Sequence, residues 1–283
     1  MRRNNLSAPE AYARVVQSID AANYIDYKCC EIFSYRWDMN QYRFWRPHTA
    51  GGRWRWLSFD GDVAWGGFWS QAPAWQFNML AADLAKDGSL NGHNTDMSTL
   101  MLRRLMRNPE FRRDFINRFQ DLLNTTFRPS NTLARIDQLA SVLAPEMEEH
   151  IRRWRAPGSL AEWQRNVDAL RTYARERPQY AREQLRKQFD LGSPGTVAVN
   201  LKPPDGGTVR LNTHLICSGQ TDTWSGVYFK GHPITLEARP SSGFQFDGWA
   251  GSTNCASSLM ILSLQSDCDL TARFVQSAGT KQD

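Results

Sequence analysis

Gln41-Tyr42-Arg43-Phe44-Trp45-Arg46-Pro47-His48-Thr49-Ala50-Gly51-Gly52-Arg53-Trp54-Arg55-Trp56-Leu57-Ser58-Phe59-Asp60-Gly61-Asp62 sets the fold class. Residues 41–45 and 53–59 alternate in the period of two that marks a half-buried strand. His48 to Gly52 supplies a hairpin loop, and Asp60-Gly61-Asp62 ends the second strand. On both sides of the hairpin the apolar period is helical. A small hairpin set among helices predicts an α+β fold for the first two thirds of the chain.

Working outward, Ser7 and Glu10 have the spacing of a capping box, which predicts a helix through about Ser18. A second helix covers about Ala21 to Phe33. Residues 63–97 show little period and read as an irregular, packed region. Helices resume near Ser98. Asn108 is placed to cap a helix with Pro109 at its first position. Phe111, Phe115, Ile116, Phe119, Leu122 and Leu123 mark its apolar face. Ser130 opens a helix through about Leu143, Ser159 and Glu162 form a second capping box, and Pro178 reads as the start of a last helix ending near Phe189.

Leu191-Gly192-Ser193-Pro194-Gly195 has linker composition. Beyond it the period is two. Val197, Val199 and Leu201 share one face, as do Ile234, Leu236 and Ala238, and Leu270, Ala272 and Phe274. This is a small all-β module over 195–276, followed by a tail over 277–283 expected to be disordered. Composition supports the division. Residues 1–191 hold 28 Lys and Arg against 22 Asp and Glu, while residues 192–283 hold 6 against 7 and 11 of the 19 Gly. The two segments follow different chemical plans, so two domains are expected, at 1–191 and 195–276.

The chain has 283 residues, 41% hydrophobic and 22% charged, which excludes a disordered or fibrous protein. No apolar run approaches the roughly 18 residues of a membrane span, and Met1 to Val16 lacks the apolar core of a secretory signal. The five His are scattered, no C-x-x-C pair suggests zinc, and no Gly-rich phosphate loop is present. The Arg residues from Arg103 to Arg118 are interleaved with Glu110 and Asp114 on amphipathic helices, so they read as a solvated face and not as a nucleic-acid surface. Cys29 and Cys30 read as buried thiols on a helix. Cys255 and Cys268 bracket Leu259-Met260-Ile261-Leu262 and are spaced to staple a hairpin, which would fit an oxidising compartment.

Two segments offer chemistry. Asp60 and Asp62 place two carboxylates at i and i+2 on a strand end, where they can converge on a hard cation. The plain alternative is a turn, because Asp-Gly is a common turn dipeptide. Arg36-Trp37-Asp38-Met39-Asn40 precedes the hairpin, and Asp38 and Asn40 are short polar residues close to where Asp60 is expected. Its plain alternative is a strand boundary.

These residues resemble the spore-coat protein H (CotH) kinase family. The similarity runs through Asn23-Tyr24-Ile25-Asp26-Tyr27, through Asn40 to Pro47, through Gly52 to Asp62, and through Asn108 to Phe119 followed by Leu123 to Phe127. It extends to about residue 189. The resemblance implies an atypical, kinase-like lobe that transfers the γ-phosphoryl of ATP to protein Ser with Mg²⁺ or Mn²⁺. It places Asp60 as metal ligand, with Asp62 as helper and Asn40 retained as a further ligand. It also places Arg36 where the family has its presumed catalytic aspartate. An Arg cannot accept the substrate proton. Asp38 is a substitute candidate if the segment is extended, because it would then point to the same side.

Relative to the family pattern, the chain is expected to begin inside the C-terminal lobe, without the lobe that covers the nucleotide. Impaired transfer is therefore expected. Trp224 to Gly231, Gly243 to Gly251 and Leu270 to Phe274 resemble the divergent internalin-type B-repeat, a module of bacterial surface and secreted proteins. Two functions follow from the resemblances. One is a secreted or surface kinase acting on a protein substrate. The other is a non-catalytic pseudokinase scaffold that binds a cell-envelope component.

Overall fold

The computed structural model describes residues 5–38, 41–66, 73–86, 95–217 and 223–277. Residues 67–72 and 87–94, within the stretch expected to be irregular, lie outside the described residues, as do Asn40 and the tail beyond Ser277. The chain is α+β: helical with a two-stranded hairpin in its first part, then all β. It divides into two compact units, Met1–Ile116 with Thr125–Gln188, and Asn117–Asn124 with Phe189–Asp283.

The first unit holds α1 (Pro9–Ser18), α2 (Ala21–Phe33), β1 (Arg43–Trp45), β2 (Arg55–Leu57), α3 (Met79–Leu84) and α4 (Asp96–Leu105). It also holds the first half of α5 (Pro109–Asn124), with α6 (Pro129–Leu143), α7 (Met147–Trp154) and α8 (Leu160–Gln188). The Ser7 capping box does not form. Helix α1 starts with Pro9 at its first turn, and Ala8 at the N-cap makes no side-chain bond. Proline's fixed φ and missing N–H suit the first helical position, so it sets the start without a cap. Asp20 caps α2 by accepting from Asn23 N at 3.0 Å. Asn108 caps α5 by accepting from Phe111 N at 3.0 Å. Ser159 accepts from Glu162 N at 3.1 Å.

Three further expectations need correction. Pro178 does not open a separate helix; it lies inside the continuous α8. An interior proline costs about 3 kcal/mol locally. Here Tyr173, Ala174, Arg177, Ala181, Gln184 and Leu185 are buried on both sides of it, and their packing holds the helix through the break. Helices α3 and α7 were not expected, being short with little periodic signal. Cys30 is exposed, although Cys29 is buried.

The core of this unit is aromatic. Tyr24 packs against Phe111 with centroids 6.4 Å apart, and Phe33 stacks on Phe127 at 4.0 Å with the rings nearly parallel. Trp56 of β2 reaches down onto Tyr24 at 4.6 Å, fixing the hairpin to α2. Arg177 of α8 is fully buried and donates to five acceptors. These are the carbonyls of Ile32 (2.8 Å), Phe33 (3.0 Å), Trp75 (3.0 Å) and Phe77 (2.9 Å), and Gln184 Oε1 (3.2 Å). Ile32 and Phe33 end α2, whose last carbonyls have no partner within the helix, so Arg177 caps that end.

The second unit is a two-sheet sandwich with β3 (Pro194–Lys202), β4 (Gly207–Leu211), β5 (His214–Ile216), β6 (Thr223–Phe229), β7 (Pro233–Pro240), β8 (Phe244–Gly251), β9 (Leu259–Ser263) and β10 (Cys268–Gln276). One sheet runs β6-β3-β10-β8 and the other β5-β4-β7-β9. β3 and β10 pair in parallel, with Val199 opposite Leu270. The alternating residues meet in the core as expected: Val197, Val199, Ile234, Leu236, Leu270 and Ala272 are buried together with Trp249 and Tyr228. Part of the segment with linker composition is strand, since Pro194 and Gly195 pair with Phe229 and Tyr228. The Cys255 and Cys268 thiols are free, so no staple closes the hairpin.

The last two turns of α5 complete this second unit. Asn117, Gln120, Asp121 and Asn124 recur at helical spacing and are all buried. β6 is an edge strand, and Asn124 takes the place of its missing neighbour. Its Nδ2 donates to Val227 O and its Oδ1 accepts from Val227 N, both at 2.9 Å. Gln120 Oε1 accepts from Phe229 N at 2.8 Å. Gly226 is required for this approach, because a Cβ there would meet Trp224 at 2.5 Å and Asn124 at 3.0 Å. Asp121 accepts from Tyr228 OH (2.9 Å), Asn212 Nδ2 (3.1 Å), and Thr213 N (2.9 Å) and Oγ1 (2.5 Å). Asn124→Ala would remove both of its hydrogen bonds to the Val227 main chain. Expected are a loss of about 1–3 kcal/mol in urea denaturation and faster hydrogen exchange at the Val227 amide.

Candidate functional site

The site is set by where α2 ends. With that end capped by Arg177, the chain turns at Ser34, passes Tyr35 in the left-handed region (φ 56°), and delivers Arg36 inward. Arg36 is 2% exposed. Its Nη1 forms an ion pair with Glu31 Oε2, itself buried, and donates to Tyr27 OH at 3.4 Å. Its Nε donates to the carbonyl of Asp60 at 3.2 Å and its Nη2 to the carbonyl of Gln41 at 3.3 Å. One guanidinium therefore ties α2, the segment before the hairpin and the turn after it. Trp65 N donates to Ser34 O at 2.7 Å and closes the same junction.

Burial raises the Glu31 carboxyl above the ordinary carboxylate range, against the pull of Arg36. For Arg36, burial works against the charged form, but the hydrogen bond and charge of Glu31 outweigh it and its pKa is raised. A second buried pair lies nearby, Lys28 Nζ to Asp83 Oδ2 at 2.6 Å. Burial raises Asp83, with Lys28 opposing. Burial likewise raises Tyr27 and Tyr42. The interior beneath the hairpin is thus a polar network of two cations, two carboxylates and the tyrosines around them.

The residues singled out from sequence fall around this network. Asp60 sits at φ 55° with an exposed side chain, its main chain held by Arg36. Asp62 is exposed and accepts from Val63 N at 3.0 Å. Asp38 is half-buried, and its Oδ2 accepts from Gln41 Nε2. Gln41 N donates to Asp38 O at 3.3 Å. The structure brings the main chains of Gln41 and Asp60 to one guanidinium. Asn40 lies outside the described residues. Among the described residues, no three His, Cys, Asp or Glu side chains gather as metal ligands.

Sequence reasoning missed Glu31 and Arg177, which are charged residues buried on their helices, as Lys28 is on α2. The signal available for Glu31 was its place beside Ile32 and Phe33 on the buried side of α2.

The ordered segments from Asn23 to Phe127, and the helices that follow, match the family model described as CotH kinase protein over residues 2–181. The chain belongs to the CotH kinase family. Residues 197–278 match the divergent InlB B-repeat domain, so a CotH domain is followed here by a B-repeat. No curated protein and no solved structure matches the chain. The family uses nucleotide and metal in general, and B-repeats are modules of cell-surface proteins. Among the described residues of this CotH protein, no helix is long and apolar enough to cross a membrane.

Proposed function

We propose that this CotH-family chain works by binding a cell-envelope component, as a surface or secreted scaffold joined to a B-repeat, and transfers no phosphate. Arg36 carries the reading. It stands where the family resemblance places the proton-accepting aspartate, and its side chain is buried and committed to Glu31 and to the main chain of Asp60 and Gln41. A guanidinium has no lone pair to accept a proton and stays charged in any accessible pH range. Asp38 already accepts from Gln41 within its own turn.

A kinase reading has one observation in its favour: Asp60 turns its carboxylate to solvent while its carbonyl is anchored. In that reading Asp60, Asp62 and Asn40 would hold Mg²⁺ or Mn²⁺, whose charge neutralises the phosphates of ATP during transfer. The two readings separate in one assay. The full chain is incubated with ATP, either metal ion and a Ser-containing acceptor protein. Incorporation is expected to equal that of Asp60→Ala. Incorporation that Asp60→Ala abolishes would overturn the binding-only reading and establish transfer.

A further inference from the structure

Among the described residues, β2 has both edges occupied and β1 does not. Trp54 N donates to Ser18 O and Trp54 O accepts from Asp20 N, both at 2.9 Å. Asn23 does for Trp56 what Asn124 does for Val227: its Oδ1 accepts from Trp56 N at 2.6 Å and its Nδ2 donates to Trp56 O at 3.3 Å. Trp54 and Trp56 therefore turn their main-chain groups away from β1. Orientation alternates along an antiparallel ladder, so Arg55 and Leu57 face β1, opposite Trp45 and Arg43. Phe44, opposite Trp56, is left pointing its N–H and C=O outward. Among the described residues, no hydrogen bond reaches either group from outside the hairpin.

The side chains beside that edge have a definite character. Arg43 and Trp45 lie on one face with Arg55 and Leu57, and all four are exposed, Trp45 by 44% and Leu57 by 49%. The Arg43 guanidinium lies over the Phe59 ring, 4.1 Å from its centroid. Residues 41–59 contain four Arg and no Asp or Glu. Arg55 meets Asp20 at 3.3 Å, and among the described residues no carboxylate pairs with Arg43. An open strand edge recognises an extended chain through its main chain, and alternate side chains select the sequence. Exposed Arg and Trp are also the residue types that anchor protein interfaces.

We propose that an extended, acidic segment of a protein partner adds to β1 as a third strand. Its main chain pairs with Phe44, a carboxylate lies against Arg43, and an apolar side chain two residues away lies on Trp45. This rests on the reading of the chain as a binding protein and gives that reading a partner chemistry.

The test uses the full chain, without nucleotide or metal, and a short labelled peptide alternating Glu and Val with Thr between them, read by fluorescence anisotropy. Saturable binding is expected. It should weaken about tenfold when Lys replaces Glu, in the Arg43→Glu protein, and when the peptide is N-methylated at the residue facing Phe44. The peptide arms leave the protein unaltered, and the melting temperature of Arg43→Glu checks its fold. No binding, equal binding of the Glu and Lys peptides, or indifference to N-methylation would overturn the proposal. So would Arg43-dependent binding of a single-stranded oligonucleotide or an anionic vesicle with no binding of the peptide. Because no phosphate is transferred in any arm, a positive result in the transfer assay would overturn the binding-only reading and leave this one standing.

Discussion

Arg36→Asp, which installs the residue type that the resemblance implies at this position, is expected to collapse the site and to bring no transfer. The new carboxylate would sit in the buried position beside Glu31, so two like charges would share a low-dielectric interior with no cation between them. The carbonyls of Asp60 and Gln41 would lose their donors at the same time. Removing one partner from a buried ion pair costs about 3–5 kcal/mol, and the lost main-chain bonds add to it. A fall of that size in the unfolding free energy, measured in urea, is the expected result. Arg36→Met should cost a similar amount, because Glu31 remains buried and unpaired. Combining Arg36→Met with Glu31→Leu should recover a large part of the loss, since neither charge of this pair then stays buried. If Arg36→Asp kept the native midpoint and gained phosphate incorporation, the structural role assigned to Arg36 would be wrong.

The second large effect is at Arg177. Its guanidinium satisfies four main-chain carbonyls and Gln184, and two of those carbonyls end α2. Burial lowers the pKa of Arg177, yet a guanidinium starts high enough to stay charged, and the carbonyl dipoles stand in for a carboxylate. Arg177→Ala would strand these acceptors and open a cavity, a loss of about 3–5 kcal/mol. Arg177→Lys keeps the charge but replaces a planar fork of five donors by a single point, so at least about 2 kcal/mol should still be lost. Denaturant melts of both variants, with near-ultraviolet circular dichroism reporting the aromatic stack of Phe33 and Phe127, provide the check. An Arg177→Lys protein as stable as the parent would show that charge alone holds the end of α2.

Much of the architecture was legible because it rests on period and caps. The hairpin, α2, the Asn108 cap of α5 and the alternating faces of the sandwich all follow from local spacing. The breaks in legibility have physical causes. Pro178 signals a helix start, but packing on both of its flanks overrides a local cost. Ser7 has the right spacing for a cap but is preempted by Pro9. The polar stripe Asn117, Gln120, Asp121 and Asn124 looks like a solvated helix face, and only tertiary contact reveals that its amides complete a strand. At the candidate site, the family resemblance singles out Asp60 and Arg36. It does not show that Arg36 is buried against Glu31, because an ion pair between residues five apart leaves no periodic trace.

Asn124 also bears on how such a chain could be reassembled by gene fusion. A cut at the glycine- and proline-containing stretch near residue 193 looks natural on composition, yet a graft beginning there would travel without the hydrogen bonds that Asn124 and Gln120 make to the outer side of β6. Such a graft invites strand pairing between neighbouring copies. A graft that carries residues 117–124 along would arrive closed. For this protein the transferable piece is discontinuous: a short helical segment and the sandwich inherit together, or the sandwich arrives sticky.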